Sequence, residues 1–372
     1  MLLSKTDILA AMHLGLIRIE GATEINSTSV DICIEDLLAP AMKEEDMKSV
    51  PLNNNEYWVL PPNSFHLMRT VEKVYLAPFF HGMIHSRSSS ARHGLAIRDV
   101  HEEFSNITAQ PFYGQVICSI NTLGTKVILR PGDSIAQTHL GYRGMAYVLD
   151  HYLKKMIRSG ELKITRRGKR IKSLIQTYMI DGQPKMRARP KGQLMNGGFT
   201  LTTDPMIRVY TGRTIDHQNP DPDCFEQRRL ANQGTRIKQG TFFLSSSAEH
   251  VKIPRQYVGW VAEWNHLLVT SGQHDIAGPA IHPDTRMSTR QTHAAAPKID
   301  PYPRFEGTIT FENLALTPQY VRPGQRLCEF YLMPLQNPIP KKTETSRYKG
   351  QSEATSSRSY MDNTTQQELD FE

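Results

Sequence analysis

The segment HSRSSSARHGLAI (85–97) sets two guanidiniums, Arg87 and Arg92, around three consecutive hydroxyls, Ser88, Ser89 and Ser90. Arginine forks hold phosphate oxygens bidentately, and serine hydroxyls with turn N–H groups add donors. The chemistry on offer is anion binding, although a polar surface loop would have the same composition. Far along the chain, Glu312 sits in an apolar run, TITFEN (308–313). Partial burial there would raise its pKa and a neighbouring arginine would lower it. A carboxylate tuned in this way can take a proton as general base and return it as general acid. An isolated Glu on a strand is more often a solvated edge residue, so position alone does not decide. The stretch SRYKGQSEATSSRSY (346–360) is rich in hydroxyls and cations. Such a tail is mobile by composition and can order around a polyanion while excluding water.

These residues need elements to position them. The chain has 372 residues, enough for two domains that each bury a core. Apolar residues make up 39%, which excludes a disordered chain. No run of eighteen apolar residues offers a membrane span. The start, MLLSKTDILAAMHLGLIRIEG, reads as an amphipathic helix and not a signal peptide. The four cysteines, Cys33, Cys118, Cys224 and Cys328, are far apart with no CxxC pair; Cys118 and Cys328, in apolar strand-like runs, are expected as buried reduced thiols, and with no disulfide framework a cytoplasmic location is expected. The net charge of +7 points to anionic partners.

Residues 1–142 form one unit. Its short strands, such as GQVICSI (114–120) and KVILRPGDSIAQTHL (126–140), are broken by Pro and Gly, which argues for an all-β barrel or sandwich. Residues 143–195 form a basic connecting segment with a helix-like run, YVLDHYLKKMIRSGELK. Residues 196–336 return to the β style, and 337–372 form a flexible tail. The order of segments repeats. TVEKVYLAPFFHGMI, YGQVICSI and RPGDSIAQ in the first half answer to FFLSSSAEHVKIPRQYVGWVA, FEGTITFEN and RPGQRLCEF in the second. Two copies of one domain explain this order economically.

The 85–97 segment resembles the Gly/Ser-Arg-Ser-Ser-X-Ala-Arg-X-Gly-Leu motif of dCTP deaminases, relatives of the trimeric dUTPases. MLLSKTDI, TSVDICI and LPPNSFHLMRTVEKVYLAP resemble the family's flanking elements. The resemblance implies a mainly β fold: two tandem dUTPase-like distorted β-barrel or jelly-roll domains with short helices. It implies that Arg87, Ser88 and Ser89 hold a triphosphate and that Arg92 neighbours the catalytic carboxylate. The family's second signature is His-X-X-Ala, Ile-Asp-Pro and a Gly-started strand with the catalytic Glu. It is met only by the second half, in THAAAPKIDPYPRFEGTITFEN: His293, Ala296, Asp300, Gly307 and Glu312. Two extra residues lie between Pro301 and Gly307. The first half has Ser119 where the Glu belongs, and the second has Trp264 where the motif Arg belongs. The losses are complementary, so the resemblance implies one composite site, phosphate side from the first half and base side from the second.

By the same resemblance, the backbone of Ala294 to Ala296 lines the cytosine edge and Asp300 meets the sugar or a water. Gln137 resembles a phosphate-binding Gln of dUTPases, and Tyr348 and Gln351 belong to a C-terminal lid. The expected activity is hydrolytic deamination of dCTP to dUTP and ammonia. The alternatives are a bifunctional enzyme giving dUMP and pyrophosphate, or a non-catalytic nucleotide-binding regulator. No zinc is expected, because Pro222-Asp223-Cys224 lacks the partner of a PCxxC pair. Mg²⁺ is expected only with the triphosphate. A homo-oligomer is expected, and no membrane partner. The basic stretch between Tyr152 and Lys191 could contact nucleic acid, but with Tyr178 as nearly its only interleaved aromatic that partner is not expected.

Overall fold

The structure is a computed structural model that describes residues 1–21, 24–41, 44–100, 104, 110–142, 150–166, 169–170, 177–180, 183–186, 198–262, 290–293, 298–315, 318–343, 346 and 348–357. The first half contains α1 (Lys5–His13), β1 (Ile17–Glu20), β2 (Val30–Ala39), β3 (Lys48–Ser49), β4 (Trp58–Leu60), β5 (Phe65–Leu76), β6 (Phe80–Ser86), α2 (Ser88–Arg92), β7 (Leu95–Asp99), β8 (Phe112–Thr122), β9 (Val127–Leu129) and β10 (Ser134–Tyr142). Next come α3 (Asp150–Ser159), β11 (Lys163–Arg166), β12 (Lys169–Arg170), β13 (Thr177–Ile180) and β14 (Gln183–Met186). The second half adds β15 (Gly198–Tyr210), β16 (Ile215–Asp216), β17 (Phe225–Arg229), β18 (Thr235–Ile237), β19 (Phe242–Lys252) and β20 (Tyr257–Ala262). It ends with β21 (Arg290–His293), β22 (Lys298–Ile299), β23 (Gly307–Ala315), β24 (Gln319–Val321) and β25 (Arg326–Pro334).

The first half closes on itself. Pairing runs β5-β8-β7-β6-β10-β2 and returns to β5, a six-stranded antiparallel barrel. Its strands alternate as a half-buried surface demands: in β5, Val74 and Leu76 point into the core while Val71 and Lys73 face out. The core holds Ile32, Met68, Val116, Ile120 and Leu140, all fully buried. Helix α1 leads into it through a capping box between Ser4 and Asp7.

The second half retraces the same pairings. β15, β19, β23 and β21 follow one another, and β20 joins β25, which joins β15. These strands stand in for β2, β5, β8, β7, β6 and β10, with the step corresponding to β7–β6 not among the described pairings. One local detail also repeats. Thr70 Oγ1 donates to the Glu72 carbonyl (2.9 Å) and accepts from the Val116 N–H (2.9 Å). Ser247 Oγ donates to the Glu249 carbonyl (2.6 Å) and accepts from the Ile309 N–H (2.9 Å). Each group fills the same β-bulge. The mainly β, duplicated fold expected from sequence is the fold observed.

The halves share a core of their own. Ala91, Ala96 and Leu123 of the first pack with Ile215, Phe242, Leu244 and Leu314 of the second, and with Ala354 of the tail. This apolar seam brings α2 against β23. At the far end, Leu2 forms bridges to Gly141 and Leu335 and joins an apolar cluster with Val258 and Met333.

Candidate active site

Helix α2 begins where β6 ends, and the small side chains of Ser89, Ser90 and Ala91 are buried. They allow the helix to sit close to the second half. After His93 the chain turns back into β7 through Gly94, at φ +82°, where an added Cβ would lie 2.5 Å from Thr125 Oγ1. Only glycine makes that turn without strain. The turn sends Arg92 into a cleft between the halves. Ser88 and Arg92 line one wall; Lys298, Asp300 and Glu312 line another, over an apolar floor of Phe305 and Ile309. Tyr348 and Gln351 of the tail also line it.

Glu312 is 3% exposed. Its register partners are Leu244 on β19 and His293 on β21. The matching place on β8 is Ser119, between Leu67 on β5 and Arg98 on β7. The expected Glu-to-Ser exchange between the halves therefore falls on equivalent sites of the two sheets.

Arg92 is 4% exposed and held by the tail. Its Nη1 donates to the Thr355 carbonyl (3.1 Å) and to Thr355 Oγ1, its Nη2 donates to Gln351 Oε1 (3.2 Å), and its guanidinium stacks 3.6 Å from the Tyr348 ring centroid. Gln351 in turn donates to the Thr308 carbonyl, and its own carbonyl accepts the Thr308 N–H (3.0 Å). The tail residues thus bridge Arg92 and the start of β23.

A polar chain runs beside this cleft and crosses between the halves. Lys298 Nζ donates to Thr28 Oγ1 (2.7 Å) and Ser29 Oγ (3.2 Å) and pairs with Asp300 Oδ1 (2.9 Å). Arg304 Nε holds Asp300 Oδ2 (2.8 Å), and Arg304 Nη2 donates to Asn26 Oδ1 (2.8 Å). Burial alone would push the Asp300 carboxyl up; the charges of Lys298 and Arg304, with hydrogen bonds from Lys298 and Thr28, outweigh it and hold Asp300 well below the usual carboxylate range. Burial lowers the Lys298 ammonium, against the pull of Asp300. Asp300 is thus held as an anion, and Glu312 is the second carboxylate that lines the cleft.

The family model of dCTP deaminase-like proteins matches residues 2–140 and again 166–335. The chain belongs to the dCTP deaminase-like family. A Streptomyces coelicolor relative named "dCTP deaminase, dUMP-forming" is 40% identical over 197 residues, covering 50% of this chain and 93% of that protein. A Nocardioides relative of the same name is 26% identical over 190 residues, covering 48% and 89%. Each relative aligns along nearly its whole length with half of this chain. The crystal structure of 2'-deoxycytidine 5'-triphosphate deaminase from Agrobacterium tumefaciens covers 90% of this chain and 98% of its own at 15% identity, with a TM-score of 0.64, a likeness of fold.

Against the family's motifs, the structure brings Ser88, Arg92, Asp300, Glu312, Tyr348 and Gln351 into one cleft. Three predicted phosphate ligands lie just outside its lining. Arg87 pairs with Asp31 (3.1 Å) and donates to the Ser134 carbonyl (3.2 Å). Ser89 is buried in α2, and Gln137 Oε1 accepts from Ser29 Oγ (3.2 Å). His293 is placed by its backbone opposite Glu312. Ala294, Ala296, Trp264 and residues 358–360 lie outside the described residues, as does much of the basic stretch beyond β11.

Sequence reasoning missed Lys298, Thr28 and Ser29. The available signal was a lysine two residues before Asp300, since a buried acid needs a partner. Among the described residues no group of three or more His, Cys, Asp or Glu side chains gathers as a metal-ligand set. No helix among them is long and apolar enough to cross a membrane.

Proposed function

We propose that this chain deaminates dCTP to dUTP and ammonia at the cleft between its halves, with Glu312 as general base and acid. One observation carries the reading: Ser88 and Arg92 from the first half and Glu312 from the second line the same cleft. Glu312 takes a proton from water, whose oxygen attacks C4 of cytosine, and passes that proton to N3. It then takes the second water proton and delivers it to the exocyclic amine. The C4–N bond breaks, ammonia leaves and the C4 carbonyl remains. Arg92 supplies a positive charge to the cleft in which the carboxylate works. Asp300, already a fixed anion, binds the sugar or a water and does not exchange protons. Ala294 to Ala296 and His293 line the base. Ser88, with Arg87, Ser89 and Gln137 behind it, receives the triphosphate, which arrives with its own Mg²⁺. Tyr348 and Gln351 form a lid that keeps bulk water away from the bound nucleotide and its one attacking water.

A second reading adds triphosphate cleavage, giving dUMP and pyrophosphate. It is favoured by the names of the Streptomyces and Nocardioides relatives, both dUMP-forming. The test is ammonia release across the NTP and dNTP set, with products separated by chromatography. Wild type should release ammonia from dCTP, and Glu312→Gln should lose about 10²–10⁴ of the rate while still binding dCTP. Ammonia from no nucleotide, or an unchanged Glu312→Gln rate, would overturn the proposal. A dUMP product without free dUTP selects the second reading.

A further inference from the structure

The connection after β15 (residues 211–221) is longer than its counterpart after β2 (residues 40–43), and the extra length reaches into the first half. Its β16 lies parallel to β9, with Ile215 beside Val127 and Asp216 beside Ile128. Arg130 grips Asp216 through both terminal nitrogens, each at 2.7 Å. The His217 N–H donates to the Ile128 carbonyl (3.2 Å), and Gln218 Nε2 donates to Asp133 Oδ1 (2.8 Å).

This arm ends on α2. His217 Nδ1 lies 3.1 Å from His93 Nδ1, both rings buried and edge to face. His93 immediately follows Arg92 and caps the helix. Its carbonyl accepts from Thr125 Oγ1 (2.7 Å), while its Nε2 is buried and makes no hydrogen bond among the described residues. The ring's polar anchorage therefore rests on Nδ1. The two ends of α2 are held differently: Arg87 by Asp31 and Ser134 within the first half, and at the other end the second half's arm meets the His93 ring, while Thr125 holds the His93 carbonyl and the tail holds the Arg92 guanidinium.

We propose that His217 is a positioning residue: through its Nδ1 contact with His93, it fixes the C-terminal end of α2, and with it Arg92, against β23 and Glu312. The inference rests on the deaminase reading. A small displacement of Arg92 relative to Glu312 impairs the chemical step, whereas Arg87 and Ser88, secured at the other end, keep their grip on the triphosphate. The geometry also sets which substitutes serve. Asparagine places an amide atom where Nδ1 stands, glutamine reaches instead toward Nε2, and leucine fills the space without a polar atom.

The test is steady-state ammonia release from dCTP by the full chain and by His217→Leu, His217→Gln and His217→Asn. Leu and Gln should lower kcat at least about tenfold with KM held within about threefold, and Asn should retain kcat within about threefold. Wild-type kcat in the Leu and Gln variants, a loss confined to KM, or an Asn variant no better than Leu would each overturn the role. If His217→Leu does not fold, the Gln–Asn comparison decides alone. A silent wild type defeats the deaminase reading and this role with it; an active wild type with unaltered variants defeats this role only.

Discussion

At the residue scale, the duplicated bulge shows how one local structure acquires two electrostatic fates. Glu249 is met by Arg166, the Thr202 N–H (2.8 Å) and Thr202 Oγ1 (2.8 Å). Glu72, its counterpart, accepts the Cys33 N–H and is fully buried. Burial pushes Glu72 up from 4.5 to about 7, more than its backbone hydrogen bonds pull it down. The folded state therefore holds a proton that the unfolded chain releases, so the contribution of Glu72 to stability is full below about pH 4.5, falls as pH rises toward 7, and levels above it. Glu72→Gln should remove this decline and be more stable than wild type at pH 8 by on the order of 1–3 kcal/mol. Urea midpoints of both proteins across pH 4.5–8 check this; parallel curves would refute it. Asp300 is the opposite case. Asp300→Asn leaves the Lys298 ammonium buried without its anion and should cost about 3–5 kcal/mol. Lys298→Met/Asp300→Asn should cost less than the two single changes added, and additive urea-melt losses would deny the coupling.

At the element scale, β23 starts at a glycine of positive φ, Gly307 at +155°, and its counterpart Gly114, at +149°, is the third residue of β8. Nothing lies near a Cβ added to Gly114, whereas one added to Gly307 would stand 2.9 Å from the Gln351 carbonyl oxygen. The tail uses that gap. Gly307→Ala should lift residues 348–357, raise KM for dCTP several-fold and expose Lys349 to trypsin, which digestion rates report; unchanged protection would refute the tail's dependence on this gap. The strands themselves were legible because alternation and Pro-Gly turns are local signals, and the Glu312 strand stood out through its resemblance to the Gly-started strand of the dCTP deaminase signature. Arg92's partners were less legible. Thr355 and the arm at 215–218 meet it or its helix only through tertiary contacts, and Asp216 paired with Arg130 is an ordinary acid in an ordinary loop until the halves dock. Composition likewise describes a mobile tail, while Tyr348, Gln351 and Ser357 are buried, because a stacked guanidinium and a strand edge supply what composition does not count.

At the scale of the whole molecule, the question is how many sites two halves can make. The pairing described here joins α2 of the first half to β23 of the second. The reverse pairing would need an acid on β8, where Ser119 has only a hydroxyl, donating to the Arg98 carbonyl (3.4 Å). A serine hydroxyl does not shuttle protons near neutral pH as a carboxylate does. The framework is unequal too. β9 is flanked by β4 and by the arm strand β16, whereas its counterpart β24 pairs only with β18 among the described residues. The halves are therefore not interchangeable, and one chain should bind one nucleotide. Calorimetric titration of Glu312→Gln with dCTP, which should bind without turnover, should give a stoichiometry near one per chain. A value near two would mean that the second combination also holds substrate, and that the division of labour between the halves is not the reason their sequences diverged. Ser119→Glu sharpens the same argument: with the arm and α2 on one side only, a restored carboxylate on β8 should add no ammonia release to that of wild type.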